Sequence, residues 1–215
     1  MFNPNISFST FIKVYDNVLT EEFCKSVCQK LDRDPRKKLG VFGKDKKSDP
    51  NFKSSLDLKI STLSEWEQED EIFFLTIGQF LKQYRKDIQN STNGKFFYGH
   101  PEDHFSDTGY FVKVYKPGGH YDWHQDYVVD AYHGVRELTF IWYLNEDFDE
   151  GETEFVIGRK ITPKTGRLLI FPASWMYVHR GCRVKKNNKY IATGWYHHQC
   201  AETKDMLDNM INKNN

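Results

Sequence analysis

A change of period constrains the fold more than any other feature of this chain. Over about residues 64–89 the apolar residues recur at helical spacing, and from about residue 96 the period changes. From there to about 199 they alternate with polar residues in short runs. Alternation sends successive side chains to opposite faces of a sheet, so each run reads as a strand with one face on a core. The candidate strands are 96–99, 109–116, 121–126, 135–145, 153–157, 167–171, 175–179, 182–185 and 189–198. Turn residues separate them: Pro117-Gly118-Gly119, Glu150-Gly151, Pro163 to Gly166, and Asn187-Asn188. Many short strands punctuated in this way suggest a sandwich or a jelly roll.

The N-terminal part is built differently. Phe8 to Val14 alternates and reads as a strand. Thr20 followed by Glu21-Glu22 is a helix N-cap with acids in the first turn, so a helix is expected to about Leu31. Ser64-Glu65-Trp66-Glu67 matches a capping box. Trp66, Phe73, Ile77, Phe80, Leu81, Tyr84 and Ile88 follow at helical spacing, giving an amphipathic helix over 64–89 whose stripe should lie on a sheet. Between the helices, residues 33–50 gather Arg33, Arg36, Lys37, Lys38, Lys44, Lys46 and Lys47 among Gly, Pro and Asp. This reads as a mobile basic loop, either simply solvated or a substrate lid. At 215 residues the chain suits one domain: 1–95 as strand and helical support, 96–199 as the β core, and 200–215 as a polar tail.

Composition excludes some classes. Thirty basic and thirty acidic residues balance, so no global field draws the chain to nucleic acid or an anionic membrane. The N-terminus has no basic segment followed by an apolar one, and no run is long enough to span a bilayer. The expected location is the cytoplasm. Cys24, Cys28, Cys182 and Cys200 fit no zinc pattern. Cys24 and Cys28 share one side of the first helix and are expected to pack as small hydrophobes.

The chemistry starts at Tyr121-Asp122-Trp123-His124-Gln125-Asp126. On a strand, His124 and Asp126 leave the same face. They make two-thirds of a 2-His-1-carboxylate site, which covers one face of an octahedral metal and leaves three positions open. The third ligand must come from a distant strand. Of His100, His104, His120, His133, His179, His197 and His198, His179 is best placed, after the buried run Leu168 to Pro172. In the last strand, Lys189, Ile191, Thr193 and Trp195 share a face. A lysine among such residues needs an anionic partner or loses its charge. A dicarboxylate on the inner face would supply one. Tyr143, in phase with Thr139 and Ile141, and Tyr115 could each share it or be core aromatics.

At these residues the chain resembles the Fe(II)- and 2-oxoglutarate-dependent oxygenases of the prolyl 4-hydroxylase-like type. The resemblance runs from about Tyr110 to His197. It rests on Tyr115, Gly118-Gly119, Tyr121 and His124-Gln125-Asp126, then the strand Thr139 to Asn145. Glu150-Gly151-Glu152-Thr153-Glu154-Phe155 follows, with Glu150 where the family has a first glycine, then Phe171-Pro172, His179 and Lys189. It implies a mainly β fold with flanking α: a double-stranded β-helix (jelly roll, cupin-like) with N-terminal helices packed outside. It implies Fe(II) on His124, Asp126 and His179. It implies 2-oxoglutarate as co-substrate, its far carboxylate held by Tyr115, Tyr143 and Lys189 with Thr193. Dioxygen is the oxidant, and ascorbate joins the cofactors to be tested. The implied reaction hydroxylates an unactivated C–H bond, that of a prolyl residue in a peptide or protein. Related halogenases have a small residue where this chain has Asp126, which favours hydroxylation. Two alternatives stand: the same chemistry on a free amino acid or other small molecule, and a non-catalytic jelly-roll binding module.

Overall fold

The computed structural model describes residues 6–43, 45–95, 104–130 and 133–199. The expected strand 96–99, His100, Cys200 and the tail 200–215 lie outside them. The N-terminal part forms β1 (Lys13–Tyr15), α1 (Glu21–Arg33), β2 (Lys38–Leu39), β3 (Leu56–Lys59) and α2 (Glu67–Ser91). There follow β4 (His104–Tyr115), β5 (Tyr121–His124), β6 (Val129–Asp130), β7 (Gly134–Tyr143), β8 (Asp149–Glu150) and β9 (Thr153–Phe155). The chain continues through β10 (Lys160–Ile161), β11 (Arg167–Pro172), β12 (His179–Gly181), β13 (Val184–Lys186) and β14 (Lys189–Gln199).

The order of pairing makes this a jelly roll. The large sheet runs β1-β11-β7-β14-β4-β3-β2, with β6 on β7, and the smaller one runs β10-β9-β12-β5. From β4 onward the chain passes to and fro between them: β4 large, β5 small, β7 large, β9 and β10 small, β11 large, β12 small, β14 large. Such alternation wraps two antiparallel sheets round one interior.

Both faces of the large sheet are buried, and strand parity divides them. Leu138, Phe140 and Trp142 of β7, Leu168 and Ile170 of β11, Tyr110 and Val112 of β4 and Ala192 of β14 face outward. There they join Trp66, Phe73, Ile77, Leu81, Tyr84 and Ile88 of the α2 region in one cluster. The intervening residues Ile141, Tyr143, Leu169, Phe171, Tyr115 and Ile191 form a second cluster inside. The α2 stripe thus lies on the sheet, with Phe73 against Trp142 at 4.9 Å between ring centroids.

Three local expectations need correction. Residues 8–11 form a 3-10 turn, because Ser7 and Thr10 bond each other's backbone, and the strand begins only at Lys13. The Ser64 capping box does not form. Ser64–Trp66 is a 3-10 turn and α2 starts at Glu67. Trp66 is fully buried there, and its indole N–H donates to Asp34 at 2.9 Å. The segment 175–179 is a loop, closed by Tyr177 N–H on the Ser174 carbonyl, so His179 opens a strand where it was expected to end one.

The basic stretch is not loose. Lys37 donates to the Leu31 and Asp34 carbonyls, Arg36 pairs with Asp34 and Glu65, and β2 pairs with β3. Other expectations hold: Thr20 caps α1 by accepting from Phe23 N–H, and Cys24 is buried in the outer cluster as a free thiol.

Phe73→Ala leaves a void under the sheet, and a buried Phe→Ala change costs about 3–5 kcal/mol. Urea unfolding should show that loss; a loss below about 1 kcal/mol would mean that α2 does not hold the sheet.

Candidate metal centre

Register places the site residues. β12 pairs with β5 so that His179 stands opposite His124. Asp126, just past the end of β5, meets Thr139 of β7, whose hydroxyl donates to the Asp126 carboxylate at 2.8 Å. The large and small sheets therefore converge on one point. There, ligand-type atoms of His124, Asp126 and His179 all lie within 4.8 Å of one another. The Asp126 carboxylate is 3.9 Å from His124 Nε2 and 3.7 Å from His179 Nε2.

Both imidazoles are oriented by their other nitrogen. His124 Nδ1 lies 2.7 Å from the Asp122 carbonyl and His179 Nδ1 3.0 Å from the Tyr177 carbonyl. A carbonyl only accepts, so each Nδ1 carries a proton and Nε2 is the nitrogen that each ring turns toward Asp126. Tyr121 stacks on His124, with centroids 3.5 Å apart and planes at 15°, and Phe171 packs edge-on to His179. Burial, and then the neighbouring His179, push the His124 pKa down to about 3, so that ring is neutral at physiological pH. For Asp126, burial acts to raise the pKa. Positive charge on the two imidazoles when they are protonated, then Arg136 and the Thr139 hydroxyl, outweigh it and hold the carboxyl well below its usual range. Two imidazole Nε2 atoms and one carboxylate, with second partners fixed, are the donor set of a divalent transition metal. The residues present fit such an ion.

The cavity beside this cluster is lined by Tyr115, Ile141, Thr153, Lys189, Ile191 and Thr193, among others. Lys189 is at its far end, 3% exposed. Its ammonium donates to the Gly151 carbonyl at 2.6 Å and lies 5.4 Å and 5.7 Å from the Tyr115 and Tyr143 ring centroids. Burial pushes its pKa down to about 8. Gly151 has φ +82, and a Cβ there would meet Val184 and the Lys189 stem at 3.1 and 3.3 Å, so the close approach to Lys189 needs glycine. Glu150, where a first glycine was anticipated, also has positive φ, +60, and its carboxylate pairs with Lys185.

The tyrosine and threonine hydroxyls have partners of their own in this structure. Tyr143 donates to Thr153 Oγ1 at 2.7 Å, and Thr193 donates to the Phe140 carbonyl at 2.9 Å. Of the other candidate histidines, His120 bonds the Asn51 carbonyl, and His133 rests against His197.

Three neighbours carried no functional signal in spacing. Thr139 shares a face with Tyr143, yet nothing in the sequence marks its bond to Asp126. Lys113 also lines the cavity, and parity from Tyr115 alone could have found it. The third is the aromatic chain from the basic stretch. Phe42 packs on Phe52 at 4.5 Å and Phe52 on Tyr121 at 5.7 Å, so that stretch reaches the ring stacked on His124.

Comparison with known proteins adds four findings. Residues 110–197 match the model of the 2OG-Fe(II) oxygenase superfamily. The chain is 27% identical over 228 residues to "Probable prolyl 4-hydroxylase 10" of Arabidopsis thaliana, covering 88% of this chain and 70% of that protein. Among solved structures it is similar to a viral collagen prolyl hydroxylase of Paramecium Bursaria Chlorella virus-1, in its 2OG complex. The TM-score is 0.63 at 21% identity, over 88% of this chain and 97% of that one. It is also similar to a Trichoplax adhaerens prolyl hydroxylase in complex with a hypoxia inducible factor peptide fragment. There the TM-score is 0.65 at 16% identity, over 92% and 87% of the two chains. At such identities the structural likeness establishes the jelly-roll fold.

The buried Lys189 has a consequence for stability. Its folded pKa, about 8, lies below the unfolded value of about 10.4. Between the two the unfolded chain binds more protons, so this group's contribution to stability improves as pH rises through that window. Lys189→Met should remove the slope. The unfolding free energy of the variant relative to wild type should be highest near pH 7 and fall by about 1 kcal/mol per pH unit between about 8 and 10. A difference independent of pH would show that Lys189 is charged at no cost.

Proposed function

This chain is a 2OG-Fe(II) oxygenase similar to the prolyl 4-hydroxylases, and from that premise we propose that it hydroxylates a prolyl residue in a peptide or protein, with His124, Asp126 and His179 holding Fe(II). One observation carries the proposal. Two imidazoles and a carboxylate converge within 4.8 Å on the rim of a cavity whose far end carries a buried ammonium, Lys189.

When bound, iron with 2-oxoglutarate and dioxygen supplies the power to replace C–H by C–OH, the co-substrate leaving as succinate and carbon dioxide. The chain's own residues bind, orient and shield. Asp126 brings the one carboxylate of the proposed ligand set, and Thr139 fixes it by its hydrogen bond. The Asp122 and Tyr177 carbonyls hold the imidazole tautomers. Lys189 meets the far carboxylate of 2-oxoglutarate, and the Tyr115 and Tyr143 hydroxyls complete its cradle, Tyr143 turning from Thr153 to do so. Thr193 and Ile191 form the wall between. Tyr121, Ile141 and Phe171 keep bulk water from the cavity. Exposed Trp123, Tyr127 and Trp175 beside β5 and β12 provide an aromatic bed for an extended peptide.

A cytoplasmic setting is supported by Cys24, Cys28 and Cys182, all free thiols. No helix of the described residues is long and apolar enough to cross a membrane. Ascorbate, as an external reductant, is a candidate auxiliary for returning oxidised iron to Fe(II).

Two tests follow. The Fe(II)-loaded protein, given 2-oxoglutarate and a library of proline-rich peptides, should add one oxygen to a prolyl residue by mass spectrometry. Asp126→Ala should add none and should lose bound iron, because its site has lost its negative ligand. Oxygen found only on other residues or on small molecules would refute the prolyl assignment. In the second test, Lys189→Met should bind 2-oxoglutarate about tenfold to a hundredfold more weakly, since charge-assisted hydrogen bonds contribute roughly 1.5–3 kcal/mol. Iron affinity should be unchanged. Equal 2-oxoglutarate affinity would place the anchor elsewhere.

A further inference from the structure

A second buried ammonium enters the same cavity and has no role in the scheme above. Lys113 of β4 follows the inward parity of Tyr115 and is 6% exposed. Its carboxylate neighbour is Asp57 of β3, at 3.8 Å. That carboxylate is already engaged. Lys53 donates to it at 2.7 Å and so does the Ser55 hydroxyl. Two buried ammoniums thus share one carboxylate, and the cluster carries a net positive charge away from water. Burial and the repulsion of Lys53 push the Lys113 pKa down to about 8, against the pull of Asp57 and Asp126. Asp126 offers no lasting partner, since the proposed metal takes its charge.

The surroundings of the Lys113 ammonium show where a partner would sit. It lies 5.7 Å from the Phe111 ring and 5.6 Å from the Trp195 ring. Along β14, Lys189 pairs with Tyr115 and Ile191 with Lys113, and Trp195 comes four residues further. Lys113 therefore reaches toward the Trp195 end of the cavity, while Lys189 serves the Tyr115 end. The Trp195 indole N–H is buried and finds no acceptor among the described residues, and the Arg136 guanidinium lies 4.0 Å from the same ring. A buried donor without an acceptor is costly unless something supplies one. An under-paired ammonium and an orphaned N–H beside one another ask for the same thing, an anionic oxygen.

We propose that Lys113 and the Trp195 indole N–H form a carboxylate-binding position for the substrate, so that this chain prefers a substrate with an acidic group close to the carbon it hydroxylates. The proposal rests on the oxygenase reading and narrows its substrate class. The carboxylate has two possible sources: an acidic side chain beside the target residue in a peptide, or the α-carboxylate of a free amino acid. In either case its charge meets Lys113, one oxygen accepts from Trp195, and the Asp57 carboxylate stays with Lys53.

The test compares acids with their amides. The protein is loaded with Fe(II) and 2-oxoglutarate under nitrogen and titrated by tryptophan fluorescence. The probes are blocked tripeptides with Glu or Gln before or after proline, free L-proline against L-prolinamide, and the same tripeptides with valine in place of proline. Turnover in air is then read by mass spectrometry. The acid of at least one pair should bind about tenfold or more tightly than its amide. The pair that does so identifies the source. Lys113→Met should equalise the pair while 2-oxoglutarate affinity stays at the wild-type value, and Lys113→Arg should retain the preference. If every acid binds wild type no better than its amide, or if the preference survives Lys113→Met, the inference is wrong. The wild-type comparison decides even if a variant does not fold. Failure of the prolyl assignment looks different: a Lys113-dependent preference for acids among the valine probes, with no oxygen on proline.

Discussion

A largely buried carboxylate is the group on which the rest of this structure depends. The Asp126 side chain keeps only 11% of its exposure, and a charge in that position is tolerated only with close partners. Its partners come from three strands in two sheets: His124 beside it on β5, His179 across the small sheet, and Thr139 from the large sheet. The three arrive together only if β5 pairs with β12 so that the two imidazoles oppose each other, and only if β7 presents odd-numbered residues inward. A slip of one residue in β7 would send Thr139 to the α2 side and bring Leu138 or Phe140 in. The apolar stripe of α2 prevents that slip, because Phe140 and Trp142 have their places on the outer face.

Function is thus written on one face of strands whose other face supplies the stability. The inner face carries charge where an apolar residue would pack at less cost: Lys113 and Lys189, both pushed down by burial. Such residues make the ligand-free protein less stable than its fold allows, which fits the proposed anionic ligands that would neutralise them. The basic stretch between the helices takes part in the same design. Val41 accepts from Lys53, which in turn binds Asp57, and Phe42 leads through Phe52 to Tyr121. It backs the site from outside, tied through Lys53 at its polar end and through Phe52 at its aromatic end.

Much of this was legible in the sequence because period-two parity is a rigid rule. Parity put Lys189, Ile191, Thr193 and Trp195 on one face and Trp142 opposite Tyr143, and the structure has them so. The α2 stripe was legible for the same reason at its own period. What parity could not supply was partner identity. Nothing local says that Tyr143 bonds Thr153 or that Thr193 bonds the Phe140 carbonyl, since both are contacts across strands. The misplaced boundaries have causes that propensity ignores: the local Ser7–Thr10 bonds that coil 8–11, and the long-range Asp34 bond that seats Trp66 before its helix begins. The anchoring of 33–50 was missed because a run of lysines looks solvated until the carbonyls and carboxylates that receive them are in view.

The most direct test of the central claim follows both atoms of dioxygen. The Fe(II)-loaded protein is given 2-oxoglutarate, a proline-containing peptide and oxygen-18 gas, and succinate and peptide are weighed by mass spectrometry. The account requires succinate carrying one labelled oxygen, formed only when the His124, Asp126 and His179 set is intact, and peptide that has gained one oxygen. Untouched 2-oxoglutarate, or succinate without label, would contradict it.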